Sequence, residues 1–151
     1  MKYKTSDEWN HFDWAGAYIG EVQVTDYHFS LGLANVKILP ENSKNRDIRL
    51  MRTNELYLTL AEPTIAKVVE EGYKEYDPDG NLKRTVGDVE IAAEERAATV
   101  KSFEEGSIYS MEKTQAGYLF YIDTEEHTYQ LLVQASGDSE EWDRFLNLES
   151  M

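Results

Sequence analysis

The sequence contains no cysteine. This absence excludes disulfides, thiolate zinc sites, iron–sulfur clusters and cysteine nucleophiles. It fits a reducing compartment slightly better than an oxidising one. Only three prolines occur, at Pro40, Pro63 and Pro78, so the sequence has no proline-rich linker. The 151 residues, 41% of them hydrophobic, predict one folded domain that spans residues 1–151.

Long apolar runs are also missing. No stretch approaches the roughly 18 apolar residues of a membrane-spanning helix, and the first fourteen residues, MKYKTSDEWNHFDW, lack the apolar core of a signal peptide. We therefore expect a soluble, cytoplasmic protein.

Positive charge is scarce. The chain has 15 Lys and Arg against 29 Asp and Glu, a net charge of −14, and most of the excess falls in the second half. Such a surface repels phosphate backbones and anionic membranes, so we expect neither nucleic-acid binding nor membrane binding. It would attract a basic protein partner and speed the encounter. The alternative is that the acidity only keeps the protein soluble.

Alternating apolar residues predict strands over residues 18–38 and 48–60, and three aromatic-rich runs over residues 107–136 predict an antiparallel meander. The alternation changes parity near Ala34 and Asn35, which predicts a bulge there. Residues 64–76 fit either a helix or a strand. The stretch YKEYDPDGNLKRT, residues 73–85, predicts a β-hairpin. Its spacing lacks the glycine and glutamate of an EF-hand calcium loop.

Helical spacing appears in two places. Residues 89–103 carry Val89, Val100 and Phe103 on one stripe and predict the main helix. Asp138 and Glu141 have the spacing of a capping box, which predicts a short C-terminal helix. A short helix over residues 7–14 is a third possibility. The predicted fold class is α+β: a mainly antiparallel, curved or partly barrel-like sheet of about seven or eight strands with two or three helices.

Catalytic motifs are absent from the sequence. His11, His28 and His127 form no close histidine pair, and no nucleophile elbow, P-loop or dinucleotide fingerprint occurs. Adjacent glutamates usually point in different directions and are solvated. We therefore predict no catalytic, metal-binding or cofactor-binding residues and favour a non-enzymatic protein, although the sequence leaves an enzymatic role open.

Aromatic side chains crowd both ends of the chain and the meander, close to acidic residues. Exposed aromatics framed by carboxylates suit a protein-binding surface. The residues predicted to bind a partner are Trp9, His11, Trp14, Tyr121, Glu140, Glu141 and Trp142. The leading hypothesis is a binding module for a basic protein, in one version an inhibitor or immunity protein. The alternatives are a small-ligand or enzymatic domain with a pocket in the sheet, and a homo-oligomer formed through an edge strand.

Overall fold

The computed structural model of the protein describes residues 1–148. Antiparallel strands make up most of it. The strands are, in chain order, β1 (Tyr3–Ser6), β2 (Phe12–Asp13), β3 (Ala17–Val24), β4 (Phe29–Ala34), β5 (Val36–Ile38), β6 (Met51–Thr53), β7 (Leu56–Ala61), β8 (Thr64–Glu70), β9 (Tyr73–Tyr76), β10 (Leu82–Val86), β11 (Val89–Glu90), β12 (Ser107–Thr114), β13 (Gly117–Asp123), β14 (Thr128–Gln134), β15 (Gly137–Trp142) and β16 (Leu146–Asn147).

The strands form three sheets. The largest has ten strands in the order β1-β15-β7-β4-β3-β12-β13-β14-β8-β11. A four-stranded sheet has the order β16-β6-β5-β2, and β9 pairs with β10 alone. The ten-stranded sheet ends in the edge strands β1 and β11 and is not closed. The prediction of seven or eight strands in a partly barrel-like sheet is therefore wrong in both strand number and closure.

Two long segments, β7–β8 and β14–β15, pair with each other, and each contributes strands to distant parts of the large sheet. Strand β7 continues into β8 after two residues, Glu62 and Pro63, and β14 continues into β15 across Ala135 and Ser136. Ala61 pairs with Gly137 and Thr64 pairs with Gln134, so one register runs across both bends. Because β7 and β8 lie far apart in the strand order, the sheet must curl back on itself.

The core lies on the concave face of this curled sheet. Alternate positions of the central strands point inward and are buried, as in Leu56, Leu58 and Leu60 of β7. Phe29 and Phe120, from strands on opposite sides of β3 and β12, meet with ring centroids 5.8 Å apart. Burial of each such side chain contributes about 1.5–3 kcal/mol, so this alternation is the main source of stability.

Within residues 1–148, helical structure is limited to one short helix, α1 (Arg96–Lys101), preceded by a 3-10 turn at Ala93–Glu95, and a second 3-10 turn at Trp9–His11. The prediction of an α+β fold with two or three helices is therefore wrong, and the chain is mainly β. The main helix predicted over residues 89–103 starts late because Val89 and Glu90 pair with β8 as strand β11. Its remaining turns bury Val100 and Phe103 against the core.

The predicted C-terminal helix is a strand. Asp138, Glu140 and Trp142 all point into the core from β15, with the period of two that a strand requires. Two of these inward positions, Asp138 and Glu140, are carboxyl side chains. The spacing of Asp138 and Glu141 therefore does not mark the start of a helix.

Two local predictions are confirmed, and one open alternative is settled. Residues 73–85 form the predicted hairpin, in which β9 pairs with β10. Residues 64–70, which fitted helix or strand, form strand β8. The parity change occurs at Asn35, whose φ of 56° separates β4 from β5. Within residues 1–148, no helix is long and apolar enough to cross a bilayer.

Two turn glycines give a test of this architecture. Gly117, the first residue of β13, has a φ of 134°. A Cβ at this position would lie 2.4 Å from the Val133 carbonyl oxygen. Gly80, at the tip of the β9–β10 hairpin, has a φ of 85° and open space around it. We expect Gly117→Ala to lower the free energy of unfolding by at least about 2 kcal/mol and Gly80→Ala by about 1 kcal/mol or less. Urea denaturation measures both, and equal losses would contradict the close approach of β13 to β14.

Candidate functional site

A groove with a volume of about 260 Å³ lies on the outer face of strands β7, β4 and β3. Glu21 of β3, Gly32 of β4 and Tyr57 of β7 stand directly opposite one another across these strands. A Cβ at Gly32 would lie 3.1 Å from the Glu21 Cβ and 3.2 Å from the Tyr57 Cε1. Because positions 20 and 32 are glycines, the backbone forms the floor of the groove. This leaves space between the side chains that surround the floor.

A bulge in β3 aims Glu21 into this groove. The pairing of β3 with β4 shifts between Ile19 and Glu21, opposite Leu33 and Gly32. Ile19 and Val22 are both buried, although they are three residues apart, so the two residues between them, Gly20 and Glu21, face outward. Bulges commonly re-aim a side chain in this way.

Two tyrosines and two glutamates surround the floor. The Tyr57 hydroxyl donates to Glu21 Oε2 at 3.3 Å, and Gln23 Nε2 donates to Glu21 Oε1 at 2.6 Å. The pKa of Tyr57 is raised, most strongly by the negative charge of Glu21. Burial, the hydrogen bond to Glu21 and the charge of Glu55 add to this rise, in that order. Tyr18 lines the opposite side and is 45% exposed. The field in the groove is therefore negative.

Neither groove carboxylate is neutralised within the described chain. Among residues 1–148, no Lys, Arg or His nitrogen forms a salt bridge with Glu21 or Glu55. By contrast, Glu70, Glu75, Glu90, Glu104 and Glu141 all have such partners. Carboxylates beside the faces of tyrosine rings are the chemistry that binds ammonium and guanidinium groups. The groove can therefore receive a cationic side chain.

The seven residues predicted to bind a partner are spread over several environments. Trp14, Glu140 and Trp142 are buried in the core and present no surface. Trp9 is half-buried in the first 3-10 turn, and its backbone carbonyl accepts a hydrogen bond from Trp14 Nε1 at 2.9 Å. Trp142 packs in a ring cluster of Tyr3, Phe12 and Phe145. These aromatics tie both chain ends to the domain.

His11 belongs to a local polar cluster. Its Nδ1 lies 3.0 Å from Glu8 Oε1, and the Ser43 backbone N–H donates to the same oxygen at 2.8 Å. The Ser43 hydroxyl donates to Glu8 Oε2. Burial acts to raise the pKa of Glu8, but these hydrogen bonds outweigh it and hold the pKa below its ordinary value. The cluster attaches the loop between β5 and β6 to the first turn.

Tyr121 and Glu141 lie on the outer face of the large sheet, but on strands that are not neighbours, β13 and β15. Tyr121 contacts Tyr109 with ring centroids 5.8 Å apart. Burial raises the pKa of Tyr121, and the charge of Glu112 adds to this rise. Glu141 pairs with Lys4 at 3.7 Å. Tyr121 therefore lies on the same outer face as the groove, two strands away from β3. The charge of Glu141 is neutralised by Lys4.

Glu140 takes part in a buried carboxyl pair. Thr5 Oγ1 donates to Glu140 Oε1 at 2.6 Å, and the Tyr118 hydroxyl donates to Asp138 Oδ2 at 2.7 Å. The remaining oxygens, Glu140 Oε2 and Asp138 Oδ1, are buried and accept no hydrogen bond from an N–H or hydroxyl donor within residues 1–148. Burial raises the pKa of Glu140 to about 9, and a hydrogen bond with Asp138 adds to it. The Glu140 carboxyl is therefore protonated at neutral pH.

Sequence reasoning missed the groove residues Glu21, Glu55 and Tyr57. The available signal was a pair of glycines, Gly20 and Gly32, inside segments that otherwise read as strands. Glycine within a strand often marks a bulge or a place where another group approaches the backbone. Within residues 1–148, no cluster of three or more His, Asp or Glu side chains is arranged to hold a metal. Comparison with protein-family models, curated proteins and solved structures finds no match.

The buried carboxyl pair predicts how stability depends on pH. Because the pKa of Glu140 is higher in the folded state than in the unfolded chain, folding holds a proton between about pH 4.5 and 9. The free energy of unfolding should therefore fall as pH rises through this window, by up to about 1.4 kcal/mol per pH unit. Glu140→Gln keeps an N–H donor for Asp138 and should remove this slope.

Glu141→Gln is the matched control, because it lies on the same strand but faces outward. It should keep the wild-type slope. Urea denaturation at several pH values measures all three proteins. A slope in Glu140→Gln equal to that of the wild type would show that Glu140 is not the protonated group.

Proposed function

We propose that the protein is a non-catalytic, cytoplasmic binding module that engages a basic protein partner through its outer acidic and aromatic face. The observation that carries the proposal is the groove between Tyr18 and Tyr57. There, Glu21 and Glu55 have no cationic partner within residues 1–148. A lysine or arginine side chain of a partner would enter between the tyrosines and meet both carboxylates.

The groove opens on the outer face of the sheet, which favours a protein side chain as its occupant. Its position on an open sheet face leaves the surrounding strands available for further contacts. Tyr109 and Tyr121 lie on this face, and Tyr and Arg are the side chains that most often dominate protein interfaces.

Net charge supports a basic protein over a nucleic acid as the partner. The chain carries −14, and a phosphate backbone would meet repulsion across most of its surface. A basic enzyme would instead be steered toward the groove, which favours an inhibitor or immunity role as the specific version of this function. In that version the groove side chains occupy positions that the enzyme reserves for an anionic substrate.

A capture experiment with matched variants tests the proposal. The wild type, Glu21→Gln/Glu55→Gln and Glu125→Gln/Glu126→Gln are immobilised and exposed to a lysate of the source cells at low and high salt. Both double variants remove two negative charges, but Glu125 and Glu126 lie in the exposed β13–β14 turn, away from the groove. Quantitative mass spectrometry identifies what each one retains.

We expect the wild type and the turn variant to retain the same basic protein, and the groove variant to bind it roughly three- to tenfold more weakly. Retention should decline as salt rises, because the groove charges are accessible to solvent. Equal loss in both double variants would show that overall charge, not the groove, drives binding. Retention of no basic protein at low salt would contradict the proposed function.

A further inference from the structure

A second cavity lies at one end of the curled sheet, apart from the groove. It is enclosed by the turn between β3 and β4, the bend between β7 and β8, and the start of α1. Its volume is about 240 Å³, the space of about eight water molecules in the liquid. The apolar part of its wall includes Val24, Phe29, Ile65 and Ala97, and the polar part includes Thr25, Asp26, His28, Thr64 and Arg96.

The guanidinium of Arg96 is incompletely satisfied in this cavity. Its Nη1 donates to the Ile65 carbonyl oxygen at 3.3 Å, a long hydrogen bond. Its Nε is shielded from solvent and has no hydrogen-bond partner within residues 1–148. No carboxylate of the described chain lies within salt-bridge distance of it. Arginine stays charged and carries five N–H donors, so most of its binding capacity is unused.

This arrangement is unusual for so acidic a protein. Asp and Glu outnumber Lys and Arg by 29 to 15, yet this half-buried arginine forms no salt bridge within residues 1–148. The planar guanidinium matches a carboxylate through two parallel hydrogen bonds, and such pairs are among the strongest hydrogen bonds in proteins. A carboxylate is therefore the group that best completes the site.

The rest of the wall sets the kind of carboxylate. Asp26 lines the same cavity, and its charge disfavours a phosphate or any other multiply charged anion. His28 adds a ring nitrogen that can donate a hydrogen bond to the ligand. The apolar wall accepts a short hydrocarbon body. We infer that this cavity binds a small monocarboxylate with a short apolar body, through the guanidinium of Arg96.

This site shares no lining residue with the groove, so it stands whether or not the groove binds a protein. It gives the chain a second activity, reversible binding of an organic acid.

The test is a titration of the ¹⁵N-labelled full chain with sodium hexanoate, followed by NMR, and with hexanamide as the uncharged match. We expect saturable shifts at the amides of Thr25, Thr64 and Arg96, with a dissociation constant on the order of 1 mM for hexanoate. Hexanamide should bind at least about tenfold more weakly, because it lacks the charge that the guanidinium recognises.

Three variants separate recognition from folding. Arg96→Gln should weaken hexanoate binding at least about tenfold, whereas Lys83→Gln, which removes an equal charge from the β9–β10 hairpin, should leave it unchanged. Ala97→Leu keeps the guanidinium but narrows the cavity from an exposed helix position, and it should also abolish binding. The inference is overturned by no saturable shift in the wild type at 20-fold the expected constant, by equal affinity for hexanamide, or by undiminished binding in either Arg96→Gln or Ala97→Leu.

Discussion

The pairing of the β7–β8 segment with the β14–β15 segment is the constraint on which the rest of the structure depends. Their pairing runs from Trp142 opposite Leu56 to Tyr129 opposite Glu70, across a bend in each segment and one register shift between Leu132 and Val133. Because both segments bend, the remaining strands curl around one apolar interior. A shift of this register by one residue would turn Leu58 toward solvent. It would do the same to the inward side chains next to Phe120. The groove and the Arg96 cavity both use residues next to this pair of segments.

Alternation predicted those strands whose inward positions are apolar. The meander, the β9–β10 hairpin and the parity change at Asn35 follow from local sequence, since turn residues and period-two patterns are local signals. Strand β15 does not follow, because two of its inward positions are Asp138 and Glu140, which are buried only because Thr5 and Tyr118 donate to them. These partners are 135 and 20 residues away along the chain, so no local pattern could indicate them.

The position of the candidate site could not be predicted from the sequence. An acidic, aromatic surface was expected, and the sheet does present one, but around Glu21, Gly32 and Tyr57 instead of the tryptophans at the chain ends. Those three residues come together only through the order β3-β4-β7 and a bulge in β3. Large apolar side chains such as these tryptophans contribute most when they are packed in the interior. Trp142, for example, contacts three other rings there.

The β9–β10 hairpin has a different relation to the fold. Its strands pair only with each other, its tip is held by Asp77 Oδ1 accepting from the backbone of Asp79 and Asn81, and Tyr76 is 56% exposed. Because an isolated two-stranded hairpin is only marginally stable in water, we expect this arm to open at a lower free-energy cost than the large sheet. It is thus the natural place to insert an epitope tag or a fluorescent label, or to cut with a protease, while the ten-stranded sheet stays intact.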